Sequence, residues 1–266
     1  MVDASLTFVD RGQIETDPNL LMEGHLVADN ANPSPTIQQI ETQVFNLVID
    51  HPEATILWDT GSHPDCGDGY WPESVYDNTT HYNASAHHLA DDLEAVGYGI
   101  DEIDAVVQSH LHLDHAGGLY NFEDTDVPVY VHEAEFKHAY YGAKYDEGPD
   151  GYIAKDFDRE LNWELLSLDR EERFTDIELL QFPGHTPGVL GAKIDLENDT
   201  VILASDQFYL DPNYRDEIPL GAGLLWDREA WTRGLNRIQD IERRHDATIV
   251  YGHDPEQFQQ FQTRWR

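Results

Sequence analysis

Residues 109–118 read SHLHLDHAGG and place three histidines and one aspartate within six positions. Imidazole nitrogens and a carboxylate oxygen are the ligands that a borderline divalent metal such as zinc prefers. His110 and His112 are two positions apart, so their side chains point the same way in extended backbone, and Asp114 and His115 follow after a turn. The glycines of AGG would let the backbone pass close to such a metal. This stretch therefore predicts a metal site.

Further candidate ligands follow three apolar segments elsewhere in the chain. His185 lies in the tight turn FPGHTPG, Asp206 ends VILASD, and His253 follows TIVYG. Four ligands from one loop cannot surround two metals, so further ligands are expected at the ends of other strands. Seven ligands from four strand ends predict a two-metal site with a bridging carboxylate.

The elements that must position these residues are short apolar strands. FNLVID and TILWDTG flank the turn HPEA, DAVVQ runs directly into the histidine-rich loop, and VPVYVH follows it. In the second half, IELLQFPG predicts a strand, GAKIDLENDTVILASD predicts a hairpin around ENDT, and ATIVYG predicts the last strand.

Three helices are predicted between and after these strands. The first spans residues 86–96, with Ser85 as its N-cap and Gly97 at its end, and EAEFKHAYY begins the second. The third begins after Asp227 and buries an apolar stripe of Trp231, Leu235, Ile238 and Ile241. Residues 62–84, rich in Gly, Pro, Asp and Asn, predict an excursion loop, and residues 142–172 a partly helical lid. Alternating strands and helices favour one α/β domain over residues 1–266.

The amino-acid composition indicates the cellular location of the protein and the classes of partner that its charge disfavours. The 266 residues include 52 acidic and 16 basic side chains, a formal charge of −36 that is spread along the chain. Such self-repulsion is screened by high salt, which predicts a protein of a salt-adapted organism. The same charge disfavours nucleic acid and anionic membranes as partners. The absence of a signal peptide pattern and the single Cys66, expected to be an idle thiol, predict a cytoplasmic protein.

The ligand pattern resembles that of the metallo-β-lactamase superfamily: HxHxDH, then GHTPG, a strand-end aspartate and GHD. The resemblance implies a four-layer αβ/βα sandwich and two divalent metals per chain, zinc first, with iron, manganese or cobalt as alternatives. By the same resemblance, one metal is held by His110, His112 and His185, the other by Asp114, His115 and His253, and Asp206 bridges them. LWDTG matches an early motif of the family in which the aspartate, here Asp59, supports the ligands; a plain turn-forming role stays equally open.

Within the superfamily the chain resembles N-acyl-homoserine lactonases over AVGYGIDEIDAVVQSHLHLDHAGG, VPVYVHEAEF, RDEIPLGAG and VYGHDPEQ. In DQFY, Tyr209 lies three residues after Asp206, where these lactonases carry a tyrosine that reaches the substrate. Val189 departs from the family, which often has a histidine there. The resemblance implies a metal-bridging hydroxide that opens a lactone ring, with Tyr209 and Asp114 as catalytic groups. The acyl chain would take an apolar groove, for which the candidates are Leu220, Leu224, Leu225, Trp226 and aromatic residues of 140–163.

Several alternatives share the same metal core. The runner-up is a glyoxalase-II-like thioester hydrolase (hydroxyacylglutathione hydrolase type), although the acidic C-terminal segment offers little that would bind glutathione. Related β-lactamases usually carry cysteine at the place of Asp206, nucleases of the family need basic patches, and di-iron oxidoreductases replace His112 with glutamate. A small-molecule lactone or ester is thus the expected substrate, organophosphates stay open, and the oligomeric state is undetermined, a dimer included.

Overall fold

Two β-sheets position the predicted ligands. The computed structural model describes residues 1–145 and 151–262. The strands in this part of the chain are β1 (Ser5–Thr16), β2 (Ile40–His51), β3 (Ala54–Trp58), β4 (Thr79–Thr80), β5 (Ala105–Val107), β6 (Pro128–His132), β7 (Asn162–Leu166), β8 (Arg170–Phe174), β9 (Ile177–Gln181), β10 (Leu190–Asp195), β11 (Thr200–Ser205) and β12 (Thr248–Tyr251). One sheet has the order β4-β1-β2-β3-β5-β6-β7 and the other β12-β11-β10-β9-β8.

Helices connect and cover these strands. The α-helices of the described residues are α1 (Pro18–Leu21), α2 (Glu73–Tyr76), α3 (Leu89–Ala95), α4 (Glu133–Tyr145), α5 (Ala154–Phe157), α6 (Asp211–Arg215), α7 (Arg228–His245) and α8 (Pro255–Phe261). Short 3-10 turns lie at Cys66–Asp68, Ala84–Ala86, Ile100–Glu102 and Leu119–Phe122. No helix in these two ranges is long and apolar enough to cross a membrane.

Each sheet buries both of its faces, because its side chains alternate between two apolar cores. In β3, Trp58 points into the core shared by the two sheets, whereas Leu57 points outward to α3 and α4. In β11, Leu203 points inward and Ala204 outward to α7. The layers therefore run helix, sheet, sheet, helix, as the predicted αβ/βα sandwich requires. This shared core is what a single domain over residues 1–266 would need, and that domain assignment stays a prediction.

Several predicted elements are confirmed. β2 and β3 pair antiparallel across the turn at HPEA, and β10 pairs with β11 across ENDT. The carboxylate of Asp227 caps α7 by accepting a hydrogen bond from the backbone N–H of Ala230 at 2.8 Å. Trp231, Leu235 and Ile238 of the predicted stripe are buried against the second sheet, and Ile241 packs beside them.

Other predictions for local structure were wrong. The first predicted helix begins at Leu89 and not at residue 86, because Ser85 lies in a 3-10 turn and the extended backbone of His88 precedes the helix. Its end is as predicted: Gly97, at φ +94°, follows the last turn. Residues 162–166 and 170–172, assigned to a lid, belong to β7 and β8, the edge strands of the two sheets. Residues 146–150 of that lid lie outside the described residues.

Residues 62–84 form the predicted excursion, with a 3-10 turn, α2 and the two-residue strand β4. Cys66 packs in a small apolar cluster with Trp71, Ala84 and Leu113, and burial raises the pKa of its thiol to about 12. A thiol with this pKa is protonated at neutral pH and a poor nucleophile. Cys66 is therefore the idle thiol that the sequence predicts.

Candidate metal centre

The loop of residues 109–118 leaves the carboxyl end of β5 and contributes four of the seven predicted ligands. Apolar and polar residues alternate along it, and Leu111, Leu113 and Ala116 are buried in the cores of the first sheet and the excursion. Burying Leu111 and Leu113 turns the intervening His112 toward the site. The hydrophobic effect thus orients the ligands before any metal binds.

The other three ligands lie at strand ends of the second sheet. His185 follows β9, Asp206 follows β11 and His253 follows β12, as predicted. β11 and β12 are parallel, so the side chains after their carboxyl ends meet at one edge of the sheet. The two sheets thereby bring together residues up to 143 positions apart, from His110 to His253.

Three groups of ligand atoms lie close together in the described residues: two that share no residue, and a third of His110, His115 and Asp206 that links them. In the first, His112 Nδ1 and His185 Nε2 are 2.8 Å apart, and His110 joins them. In the second, His115 Nε2 and His253 Nε2 are 3.3 Å apart, and Asp114 Oδ2 is 3.6 Å from His253 Nε2.

The carboxylate of Asp206 lies between the two groups. Its Oδ2 is 3.4 Å from His185 Nε2 and 3.6 Å from His110 Nε2 on one side, and 3.4 Å from His115 Nε2 on the other. Its Oδ1 is 3.2 Å from His253 Nε2. The carboxylate therefore contacts histidines of both groups, which is the placement that a bridging ligand needs.

The site has the donor chemistry of a cation site. Within the described residues, His110 Nε2 and both carboxylate oxygens of Asp206 are buried without a hydrogen bond partner, a state that is costly unless a cation is bound. Burial lowers the pKa values of His110, His112 and His185, which keeps their ring nitrogens free to bind a metal.

Carboxylates dominate the electrostatics around the second group of ligand atoms, that of Asp114, His115 and His253. Burial by itself would lower the pKa of His115, but the carboxylates of Asp206, Asp114 and Asp59 outweigh burial and raise it well above its ordinary value. Burial would likewise raise the pKa of Asp206, yet the neighbouring His115 and His253 hold it well below the ordinary range. Positive charge is thus stabilised here, and the residues present fit divalent metal ions.

A second layer of hydrogen bonds orients four of the five imidazoles. His115 Nδ1 is 3.0 Å from Asp59 Oδ2, and His110 Nδ1 is 3.0 Å from Ser109 Oγ. His185 Nδ1 is 2.6 Å from the carbonyl of Leu224, and His253 Nδ1 is 3.0 Å from the carbonyl of Gln43. Such contacts select the tautomer in which Nε2 faces the site.

A cavity of about 420 Å³ opens onto the ligand groups. His112 and Asp114 line it together with Tyr209, whose ring stacks on that of His253 at a centroid distance of 4.6 Å. Burial, followed by the charges of Asp206 and Asp114, raises the pKa of Tyr209 well above its ordinary value, so its hydroxyl keeps its proton. Both predicted catalytic residues, Asp114 and Tyr209, therefore line the cavity that opens onto the ligand groups.

Comparison with known proteins assigns this arrangement to a family. The profile of the metallo-beta-lactamase superfamily matches residues 40–253, which include all seven ligands. The chain belongs to the metallo-beta-lactamase superfamily. It is 33% identical to the N-acyl homoserine lactonase AiiB of Agrobacterium fabrum, over 95% of this chain and 94% of that protein. A second AiiB, from Rhizobium rhizogenes, matches at the same identity and coverage.

Solved structures of the superfamily agree with this assignment. A crystal structure of Bacillus thuringiensis AiiA with N-decanoyl-L-homoserine at its active site superimposes with a TM-score of 0.82 at 24% identity, covering 98% of this chain and 97% of that one. A quorum-quenching N-acyl homoserine lactone lactonase has a TM-score of 0.75 at 26% identity, over 97% and 95% of the two chains. The predicted fold, the resemblance to lactonases and the prediction of a metal-dependent hydrolase are confirmed.

Within this metallo-beta-lactamase fold, the glycines of AGG allow a close contact that the sequence did not predict. A Cβ at Gly117 would lie 2.1 Å from the backbone nitrogen of His63, and one at Gly118 would lie 2.4 Å from the carbonyl oxygen of Thr60. These glycines allow the loop to pack against the segment after β3, and their predicted role beside a metal stays a prediction. Through this packing they help to position the loop of residues 109–118.

The predicted acyl groove is only partly present. Leu224 lines the cavity, but Leu220 is fully buried in the core, Leu225 packs beside that core and Trp226 is half exposed. The apolar lining comes chiefly from residues that sequence reasoning did not single out: Ile14, Leu20, Leu21, Val75 and Leu113. Val189, at the place of a family histidine, is fully buried away from the cavity lining.

Proposed function

We propose that this protein is a dinuclear-metal hydrolase that opens the lactone ring of N-acyl-homoserine lactones or related lactones. The observation that carries the proposal is the convergence of seven candidate ligand side chains on one site, beside a cavity that Tyr209 and two of the seven, His112 and Asp114, line. The N-acyl homoserine lactonases that the chain resembles over 95% of its length support this substrate class.

In this proposal His110, His112 and His185 hold one metal, and Asp114, His115 and His253 hold the other. Asp206 would be a ligand shared by both metals, since it contacts histidines of both groups. A set of nitrogen and carboxylate ligands favours zinc, and it would also accept iron, manganese or cobalt. Two such ions, when bound, supply an activated water and polarise a carbonyl.

The chain's own residues then position the lactone and move a proton. The protonated hydroxyl of Tyr209 would donate a hydrogen bond to the lactone carbonyl oxygen, where negative charge develops during attack. As the ring C–O bond breaks, the half-buried Asp114 would pass to the leaving alkoxide oxygen a proton that it has taken from the oxygen of the attacking water, which gives the hydroxyl of the product. The apolar lining of the cavity would hold the acyl chain.

The cavity favours a neutral lactone over the glutathione thioester of the runner-up function. The residues described around it are mostly apolar or neutral, and none of them is lysine or arginine. Glutathione carries two carboxylates, for which such a lining offers no charged partner. An acyl-homoserine lactone carries no charge, so it needs no charged partner in the cavity.

Metal analysis combined with a substrate panel tests the proposal. We expect two metals per chain and turnover of acyl-homoserine lactones, with S-lactoylglutathione and paraoxon as competing substrates in the panel. Turnover of the thioester alone, or fewer than two metals per chain, would contradict it. His112→Ala should abolish activity, whereas His25→Ala, at an exposed position that is not among the residues lining the cavity, should leave it unchanged.

We also propose that the protein works in the cytoplasm of a salt-adapted organism. The formal charge of −36 over 266 residues and the buried, unreactive Cys66 support this proposal. At molar salt the repulsion between exposed acidic side chains is screened over about 3 Å. The chain would then fold without the electrostatic cost that it carries in dilute buffer.

A further inference from the structure

Glu135 is a buried acidic residue that lies outside the seven ligands. It belongs to the first turn of α4, and its side chain is completely inaccessible to solvent, although most acidic residues of this chain carry their charge at the surface. Burying a carboxylate is costly unless several hydrogen bonds compensate it. The groups that donate hydrogen bonds to Glu135 therefore indicate which parts of the chain it holds in place.

Three donors converge on the Glu135 carboxylate, and two of them belong to ligand loops. Oε1 accepts from the backbone N–H of Leu111 at 3.0 Å and from the hydroxyl of Tyr152 at 2.9 Å. Oε2 accepts from the hydroxyl of Thr186. Leu111 stands between His110 and His112, and Thr186 follows His185 directly.

A glycine lets the backbone of the GHTPG loop come close to Glu135. A Cβ at Gly188 would lie 2.2 Å from the backbone nitrogen of Glu135, so only glycine lets the GHTPG loop approach α4 this closely. The second glycine of that motif therefore serves the contact between the loop and Glu135.

His112 depends on this contact more than the other imidazoles do. Its Nδ1 faces His185, and its Nε2 forms no hydrogen bond with any of the residues described here. The ring packs instead on Tyr152, at a centroid distance of 4.5 Å, and on the backbone of Gly151, which accepts a hydrogen bond from Leu113 N–H at 2.9 Å. Tyr152 is in turn bound to Glu135.

We propose that Glu135 is a positioning residue that ties the two ligand loops together and so holds His112 and His185 at metal-binding distance. It acts through hydrogen bonds to Leu111, Thr186 and Tyr152, without contact to substrate. The inference rests on the proposed function, because it needs the group of His110, His112 and His185 to bind a metal. Partners of this kind change metal affinity by about 10- to 100-fold when they are removed.

Four variants and Co²⁺ as the probe metal test the inference. Glu135→Ala removes all three acceptor contacts, whereas Glu135→Gln keeps an oxygen for Leu111 and Tyr152 and offers its amide N–H to the oxygen of Thr186. Thr186→Val removes one contact and tests the idea even if Glu135→Ala does not fold. Glu133→Gln changes a partly exposed residue of the same helix turn and is the matched control.

For each variant we would measure the Co²⁺ affinity of both sites, the visible spectrum of bound Co²⁺ and the Tm of the metal-free protein. We expect Glu135→Ala to lose about 10- to 100-fold in affinity at one of the two sites with an altered spectrum, and Thr186→Val to lose about 10-fold. Glu135→Gln should stay within about threefold of wild type, and Glu133→Gln should match it.

Two results would overturn the inference alone. In one, the wild type binds two Co²⁺ ions and Glu135→Ala keeps both affinities and the spectrum, even with a lowered metal-free Tm. In the other, Glu135→Gln loses as much Co²⁺ affinity as Glu135→Ala. That result would show that the charge of Glu135, and not its hydrogen bonds, causes the effect. A wild-type chain that binds no metal would overturn the proposed function and this inference together.

Discussion

Asp59 Oδ2 lies 3.0 Å from His115 Nδ1, and the same carboxylate accepts hydrogen bonds from the backbone N–H and the hydroxyl of Ser109, both at 2.7 Å. β3 and β5 are parallel neighbours, so the residues after their carboxyl ends meet at one edge of the sheet. Asp59 takes this place with a φ of +58°, a conformation that aspartate tolerates better than most residues. These contacts fit both interpretations of Asp59, which forms the turn and orients His115, and the role of His115 as a metal ligand stays a proposal.

Replacing Asp59 should weaken metal binding. In Asp59→Ala, His115 Nδ1 loses its acceptor, and the metal affinity of the group that includes His115 should fall by about 10- to 100-fold. Competition with a coloured chelator measures this affinity. Asp124→Ala is the matched control, because Asp124 has a φ of +59° at an exposed position, so the same backbone strain is introduced without any effect on the site. Equal losses in both variants would assign the effect to backbone strain.

Removing the hydroxyl of Tyr209 should slow catalysis and leave metal binding intact. Tyr209→Phe keeps the ring stacked on His253 but removes the hydrogen bond donor, so kcat for lactone opening should fall by about 100-fold at unchanged metal content. Tyr214→Phe serves as control, since Tyr214 is buried outside the cavity and its hydroxyl donates to Glu242 at 2.6 Å. An unchanged kcat for Tyr209→Phe would remove Tyr209 from the mechanism.

Asp156 should make stability depend on pH. Burial raises its pKa from 3.8 to about 7, against the opposing effects of its hydrogen bond from Tyr70 and the charges of Arg159 and Lys155. The fold thus favours the neutral carboxyl, and its contribution to stability is complete below about pH 4 and is lost as the pH rises to about 7.

Asp156→Asn imitates the neutral form, so it should raise Tm relative to wild type. The advantage should grow between pH 4 and 7 and stay level above pH 7. Thermal denaturation across this range measures it, with Asp158→Asn, an exposed neighbour, as the control. A Tm difference independent of pH would show that Asp156 is ionised in the folded protein as it is in the unfolded chain.

Salt should stabilise the protein. Raising KCl from 0.1 M to 2 M should raise Tm, because the Debye length falls from about 10 Å to under 3 Å and the repulsion within a chain of charge −36 is screened. Sucrose, which is excluded from protein surfaces but does not screen charge, separates screening from a general solute effect. A Tm that falls with KCl would contradict the proposed salt adaptation.

Local structure was predicted best where periodicity was clear. The stripe of α7 and the hairpin of β10 and β11 needed no tertiary information, since each pattern is repeated over several residues. β1 was not predicted, although it is one of the longest strands of the described residues: polar and apolar side chains alternate only from Ser5 to Phe8, and Val9 interrupts the alternation. A register shift between Asp10 and Gln13 breaks the pattern further.

The sequence by itself determined which side chains could bind metal, because His110, His112, Asp114, His115 and the three strand-end residues carry their chemistry in their type and in their position after apolar segments. Only the tertiary structure decided that Asp206 lies between the two groups and that Glu135 joins two ligand loops. These contacts depend on how two sheets pack across one core. No local spacing encodes the distance between Glu135 and Thr186, which the chain separates by 51 positions.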